Sequence, residues 1–265
     1  MVLGAAGTAF GLGAASWPAV CASGGDSGDR GAVAAADRMY DDNSVSREEL
    51  LAYLRRQVDE RGGRSAPVAL RWRLARAMSD VATPLPKSEP RKKELLFAAL
   101  ELVEGALEDD ENDFAVHKWL GILYSKVGEF EGTKAKIGNA YKIRYHFERA
   151  TELNPTDATS QHLLGRWCLD VSQITWVERK VASVLFDTPP AATTEEALEH
   201  FLKAENIEPG FWKKNRAMIA LCYYKLKDYD KCAKWLKLAL EMPNVTDEDR
   251  TTDEEARALM KRIGA

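Results

Sequence analysis

Charge of one sign is what this chain lacks: 37 Lys and Arg stand against 41 Asp and Glu, a net charge of −4 over 265 residues. It is no polycation, so any contact with nucleic acid, a membrane or an acidic protein must use a local basic patch. Cysteine is scarce too. Cys21, Cys168, Cys222 and Cys232 show no CxxC spacing or other metal-ligand rhythm, which excludes a readable zinc or redox motif. Three of them fall on apolar faces of expected helices and read as reduced core thiols, with a Cys222–Cys232 bridge across one hairpin as the alternative. The four histidines, His117, His146, His162 and His200, stand isolated on helices, none with a second ligand at metal-binding spacing. That pattern fits hydrogen bonding in the core or at the surface and implies no metal. No serine, cysteine or paired-carboxylate constellation for catalysis is readable, so neither an enzyme nor a cofactor is expected. Gly132-Thr-Lys-Ala-Lys-Ile-Gly138 looks superficially like a phosphate loop, but it lacks the Gly-Lys-Ser/Thr ending and follows a helix rather than a strand. Strand-like alternation is missing throughout, which leaves an all-α fold.

Long apolar runs are missing except at the start. Residues 1–22 carry no charged side chain and lead into a Gly/Ser/Asp stretch without periodicity. The run is nearly long enough to cross a bilayer, yet Gly4, Gly7, Gly11, Gly13 and Pro18 weaken it as a helix and no Lys or Arg precedes it. It is either a targeting or anchoring segment or a floppy tail. The expected organisation is therefore residues 1–32 as N-terminal tail and residues 33–265 as a helical domain.

What is present from Val33 onward is helical periodicity. Ala36, Met39 and Tyr40 make a short apolar face, and Ser46-Arg-Glu-Glu49 is a capping box opening a helix through Val58 with Leu50, Leu51 and Leu54 inward. Further helices are expected over Val68–Val81, Lys92–Leu107, His117–Val127 and Asn139–Leu153, then Trp212–Leu226, Lys231–Glu241 and a terminal capping helix Asp253–Ile263. About eleven helices in four or five hairpins result.

A turn signature recurs in the second half: Phe147-Glu-Arg-Ala150 … Leu153-Asn-Pro155, then Phe201-Leu-Lys-Ala204 … Ile207-Glu-Pro209. Ahead of each lies a helix with a small central residue, Trp119-Leu-Gly121-Ile-Leu-Tyr124 and His162-Leu-Leu-Gly165-Arg-Trp167-Cys168. This is the tetratricopeptide pattern, whose stacked helix pairs make a superhelix with a binding surface. Gly121, Gly165 and Ala220 allow close approach of the two helices of a pair, with Ala150, Ala204 and Ala239 on the facing side. Pro155 and Pro209 stop the second helix because proline has no amide hydrogen to donate. The spacing is irregular. Gly121 to Pro155 is 34 positions and Gly165 to Pro209 is 44, so both repeats carry insertions, the first of about ten residues and the second about twice that.

The decorated repeats are distinctive. The run Phe130-Glu-Gly132-Thr-Lys134-Ala-Lys136-Ile-Gly-Asn139-Ala-Tyr141, with His146-Phe147, Leu153-Asn-Pro155, His162-Leu-Leu-Gly165, Trp167-Cys168, Phe186, Pro189-Pro190 and Ala204-Glu205, closely resembles the regulator of microtubule dynamics family, over about Ala36 to Arg257. The resemblance implies a non-enzymatic helical-repeat protein of the cytoplasm that associates with microtubules and spindle poles, with members at mitochondria. One branch is implied to tether mitochondria to the endoplasmic reticulum and to bind and transfer phospholipid. The chain is more similar to the shorter, first-described branch, since no long disordered region separates the apolar segment from the repeats and no acidic tract with paired phenylalanines is present.

Two candidate sites follow. Lys134, Lys136, Lys142, Arg144 and Arg149 could form a basic strip for microtubules or another acidic partner, although Glu148 and Glu152 interleave and a merely solvated helix face is the plainer reading. Trp167, Trp176, Arg179, Lys180, Phe186, Phe211, Trp212, Lys213 and Lys214 could line an apolar pocket with a cationic rim, suited to a phospholipid, if the insertion Val171–Thr194 folds back over the repeats; otherwise they are core. No nucleic acid partner is expected, and membrane contact only through the N-terminal segment.

Overall fold

In the computed structural model, residues 27–186 and 189–264 are described; of the tail expected over residues 1–32, residues 1–26 lie outside them, while 27–32 belong to a helix. Among the described residues every regular element is helical. Twelve α-helices run in chain order: α1 Ser27–Asp41, α2 Arg47–Asp59, α3 Val68–Ala82, α4 Pro90–Asp109, α5 Phe114–Val127, α6 Thr133–Leu153, α7 Ala158–Ser172, α8 Trp176–Leu185, α9 Thr194–Ile207, α10 Lys213–Lys225, α11 Tyr229–Leu240 and α12 Asp247–Ile263. A single 3-10 turn, Gly63–Ser65, joins α2 to α3. None of these helices is long and apolar enough to cross a membrane.

The starts of the helices are set by side-chain caps that satisfy otherwise orphaned amides. The Ser46 capping box forms as its sequence predicts, with Ser46 N donating to Glu49 Oε2 at 2.8 Å. Asp113 accepts from the amides of Ala115 and Val116 to open α5, and Asp157 opens α7 just after Pro155. Thr193 with Glu196 and Thr246 with Asp249 box α9 and α12. The cap at Thr246 starts α12 six residues earlier than the apolar pattern from Asp253 suggests.

The helices fall into two compact units, divided between Leu153 and Asn154. In the first, α1 to α6 pack successively, α3 touching α1, α2, α4 and α5. That helix is buried nearly all round, beyond the Leu70, Leu74, Ala75 and Met78 face that periodicity suggests. Its arginines are tolerable there because each is matched: Arg73 grips both carboxylate oxygens of Asp37 at 2.8 and 2.7 Å, Arg71 pairs with Asp109, and Arg76 lies 3.6 Å over the Tyr40 ring. In the second unit α7 packs on α9, α9 on α10, α10 on α11, and α12 covers both α10 and α11. A core of Ala220, Cys232, Leu236 and Ala256 seals that end. Cys168, Cys222 and Cys232 are free buried thiols, and burial pushes Cys222 up to about 12 and Cys232 to about 11.

Both insertions become helix. The first lengthens α6 at its N-terminus, so Thr133–Gly138 is helical where a linker was expected. The second holds α8 within the Val171–Thr194 stretch.

Candidate partner-binding surface

The position of α6 is decided by a glycine. A methyl group at Gly121 would lie 2.3 Å from the Phe147 ring, closer than any side chain tolerates, so the ring rests directly on the α5 backbone. The same device recurs in the second unit, where Phe201 of α9 and the Ala197 carbonyl lie 3.0 and 3.1 Å from the equivalent point on Gly165 of α7. Phenylalanine on glycine, rather than alanine facing glycine, makes the close contact in each pair.

A buried polar contact adds direction to this packing. His117 Nδ1 and His146 Nδ1 are 2.9 Å apart, and His117 Nε2 is 2.9 Å from the Glu111 carbonyl. The carbonyl can only accept, so His117 carries its proton on Nε2 and its Nδ1 accepts from Nδ1–H of His146. A second proton on His117 would enter at Nδ1 and set N–H against N–H. Burial first, then the His117 and Lys142 charges, holds His146 down at about 4. In the second unit His162 Nδ1 meets Asn215 Oδ1 at 2.9 Å, with the Asn215 amide donating to the Phe201 carbonyl, and burial depresses His162 to about 3. Spacing along the chain gave no hint that His117 and His146 would meet, because 29 residues separate them. Among the described residues no three His, Cys, Asp or Glu side chains converge as a metal site would require.

With Ile143, Phe147 and Ala150 buried against α5, the opposite face of α6 is open. At about 100° per residue, Lys134, Tyr141, Tyr145, Glu148 and Glu152 form one outward stripe. Tyr145 is 55% exposed and Tyr141 36%. Lys142 and Arg149 flank one edge of the stripe and Arg144 the other. Lys136 falls on the core-facing side, in register with Ile143 and Phe147, and is half-buried at the helix start. Arg144 pairs with Glu148 at 2.7 Å and Arg149 with Glu152 at 2.6 Å, while Lys142 Nζ sits 4.5 Å over the Tyr124 ring. The Tyr124 hydroxyl in turn donates to Glu104 at 2.6 Å. From Thr133 to Tyr145 there are four basic residues and no acidic one; the whole helix carries five basic and two acidic residues, a net charge of +3. Interleaved carboxylates therefore dilute the field only in the last two turns.

The aromatic and basic set of the second unit occupies two different environments. Trp212 is buried, its ring 4.3 Å from His162, and its Nε1 donates to Glu248 at 3.0 Å. Lys213 is 1% exposed, bonded to Asn244 and to Asp253 at 3.2 Å, and Lys214 meets Glu255 at 2.7 Å. These three fasten α12 to α10. Trp167 is buried on α7, and Phe211 is half-buried, edge-on to Trp212. By contrast Trp176 is 68% exposed on α8, with Lys180 Nζ 4.5 Å over its ring and Val184 exposed one turn further along. Arg179 is half-buried on α8, and Phe186, half-buried too, follows the end of that helix.

Paired helices with a small residue under an aromatic define a tetratricopeptide-like scaffold. The thermophilic TPR protein TTC0263 of Thermus thermophilus shares this fold with a TM-score of 0.60 at 15% identity, over 87% of this chain and 99% of that one. MamA of Desulfovibrio magneticus matches with 0.51 at 14% identity, over 84% and 98%. The chain belongs to the regulator of microtubule dynamics protein 1-3 family, whose model matches residues 32–264. It is 45% identical to regulator of microtubule dynamics protein 1 of Bos taurus over 226 residues, 85% of this chain and 69% of the relative. The human protein 1 is 48% identical over 71% of this chain and 60% of the relative. Regulator of microtubule dynamics protein 3 of Xenopus laevis is 46% identical over 69% of this chain but 40% of its own length. The chain thus spans about two thirds of the length of its protein 1 relatives.

Proposed function

We propose that this chain is a non-catalytic helical-repeat adaptor that associates with microtubules, in the cytoplasm and at spindle poles, and contributes to their organisation through the outward face of α6. The observation that carries this reading is a net charge of +3 on one helix of a chain whose total is −4, in a family whose relatives are named for microtubule dynamics. Lys134 and Lys142 are exposed, Lys136 is half-exposed at the helix start on the side away from that face, and none of the three makes an ion pair among the described residues. A lysine not already matched can attract an acidic surface at little desolvation cost. Arg144 and Arg149 stand beside them, held in place by carboxylates one turn away. Changing Lys134, Lys136, Lys142 and Arg144 to Glu should reduce co-sedimentation with microtubules at least tenfold, and raising the salt should weaken the wild type in parallel. Binding indifferent to both changes would remove the electrostatic reading.

A second reading is favoured by Trp176, 68% exposed beside Lys180 and Val184. Such a face suits the headgroup level of a membrane, where an indole and a lysine both find partners. It supports phospholipid contact, at mitochondria or where organelles meet, along the outside of α8. Trp176→Ala should then lower the fraction of chain that floats with anionic vesicles; an unchanged fraction would set this reading aside.

A further inference from the structure

The second unit carries a basic face of its own that lies in neither candidate set. Between Lys225 and Leu240 five lysines stand against two aspartates, and Lys225, Lys227, Lys231, Lys234 and Lys237 are all exposed. The core of this pair takes Cys232, Leu236 and Ala239, so Lys234 and Lys237 sit on the opposite side of α11, Lys231 beside them. Lys225 and Lys227 extend the patch through the turn that precedes it. Lys231 pairs with Asp228 at 2.7 Å, but the other four make no ion pair among the described residues. Lys227 adopts a left-handed conformation, with φ of 62°. A glycine there would cost about 1 kcal/mol less; the chain places a cation at the turn instead.

We propose that this face is a second docking surface and that its occupant is a flexible acidic polypeptide, such as a glutamate-rich tail. The inference rests on the reading of the chain as a binder of acidic protein partners, and adds a site in the other unit. Charge complementarity argues for an acidic occupant, and the side chains argue for the kind. Lysine is a point charge on a mobile stem without the fixed fork of arginine, so five of them suit carboxylates whose positions vary along an extended chain. A membrane fits less well. The outward side of α11 presents no exposed large apolar side chain beyond Tyr229 at its first residue, and a helix lying in a lipid interface needs an apolar face to bury.

The test uses the full chain, a fluorescently labelled glutamate-rich peptide and anisotropy. The wild type should bind, more weakly as salt rises, and a variant with Lys225, Lys227, Lys234 and Lys237 changed to Glu should lose affinity at least tenfold; the same four changed to Gln should show an intermediate loss. All four side chains are exposed, and circular dichroism checks that both variants keep their helices. The Lys134, Lys136, Lys142 and Arg144 reversal on α6 should leave a residual peptide affinity, which adding the α11 reversal to it should abolish. If the peptide binds equally well to wild type and the α11 variant, or if the α11 face takes anionic vesicles and not the peptide, the inference is overturned. If microtubule co-sedimentation ignores the α6 reversal while the α11 variant still loses the peptide, the α6 reading fails and the α11 surface stands.

Discussion

Gly121 and Phe147 show how one residue sets the geometry of a pair. Gly121→Ala gains a little as a better helix former, about 1 kcal/mol at most. It also drives a methyl group to 2.3 Å of a ring that is itself buried. Forcing a side chain into a packed core costs about 1–3 kcal/mol, so the overpacking wins. Urea unfolding followed by circular dichroism should show a net loss of about 1–2 kcal/mol. The smallness of Gly121 and Gly165 was legible, because the position recurs in the pattern. Which side chain would fill the gap was not, since Ala150 and Ala204 also lie on the facing helix and only the rotation of α6 and α9 about their axes selects Phe147 and Phe201. The pairing of His117 with His146 escaped for the same reason: each reads as a lone histidine until α5 and α6 are laid side by side.

Helix by helix, starts and stops that depend on local chemistry were readable. The Ser46 box, Pro155 and Pro209 act over three or four residues, and the structure places helix ends beside each of them. The length of α6 was not readable, because Gly132 and Gly138 argue for a linker while the tertiary contact of Ile137 rewards a helix. The role of α12 also emerges only from its packing. Lys213, Lys214 and Trp212 looked like the rim of a pocket and instead hold Asp253, Glu255 and Glu248 of this capping helix. Burial raises the Glu248 carboxyl from 4.5 to about 7. Its stabilising share, held by the neutral acid, is therefore full below about pH 4.5 and is lost as pH rises through 7. Glu248→Gln keeps an acceptor for Trp212 and removes the charge. The helix N-terminus gives up about 0.3–1 kcal/mol of dipole attraction in exchange, less than the desolvation relieved. At pH 8 the variant should be more stable by about 1–2 kcal/mol, with a flatter pH dependence of the unfolding midpoint between 5 and 7.5. A variant equal to or weaker than wild type at pH 8 would show that Glu248 is ionised at no cost.

Across the whole molecule, a near-neutral total conceals helices of opposite character. α6 is net basic while α9 carries four acidic residues to one lysine, so the bulk charge says little about partners and the distribution over helices says more. Localisation belongs to this scale as well. A tagged chain imaged with and without residues 1–30 should lose any mitochondrial signal on deletion, with the remainder in the cytosol and on the spindle. Mitochondrial signal that survives deletion would shift the address to the repeats themselves.

The amino-acid order alone determined the all-helical class, the tetratricopeptide pattern, the Ser46 capping box and the family, because each rests on residues within a few turns of one another or on a run of unusual composition. Tertiary structure alone decided which cations are free. Lys213 and Lys134 are indistinguishable as letters, yet one is buried against Asp253 and the other faces solvent. Coulomb attraction and desolvation depend on distance and burial, and neither quantity exists until helices far apart in the chain are packed together.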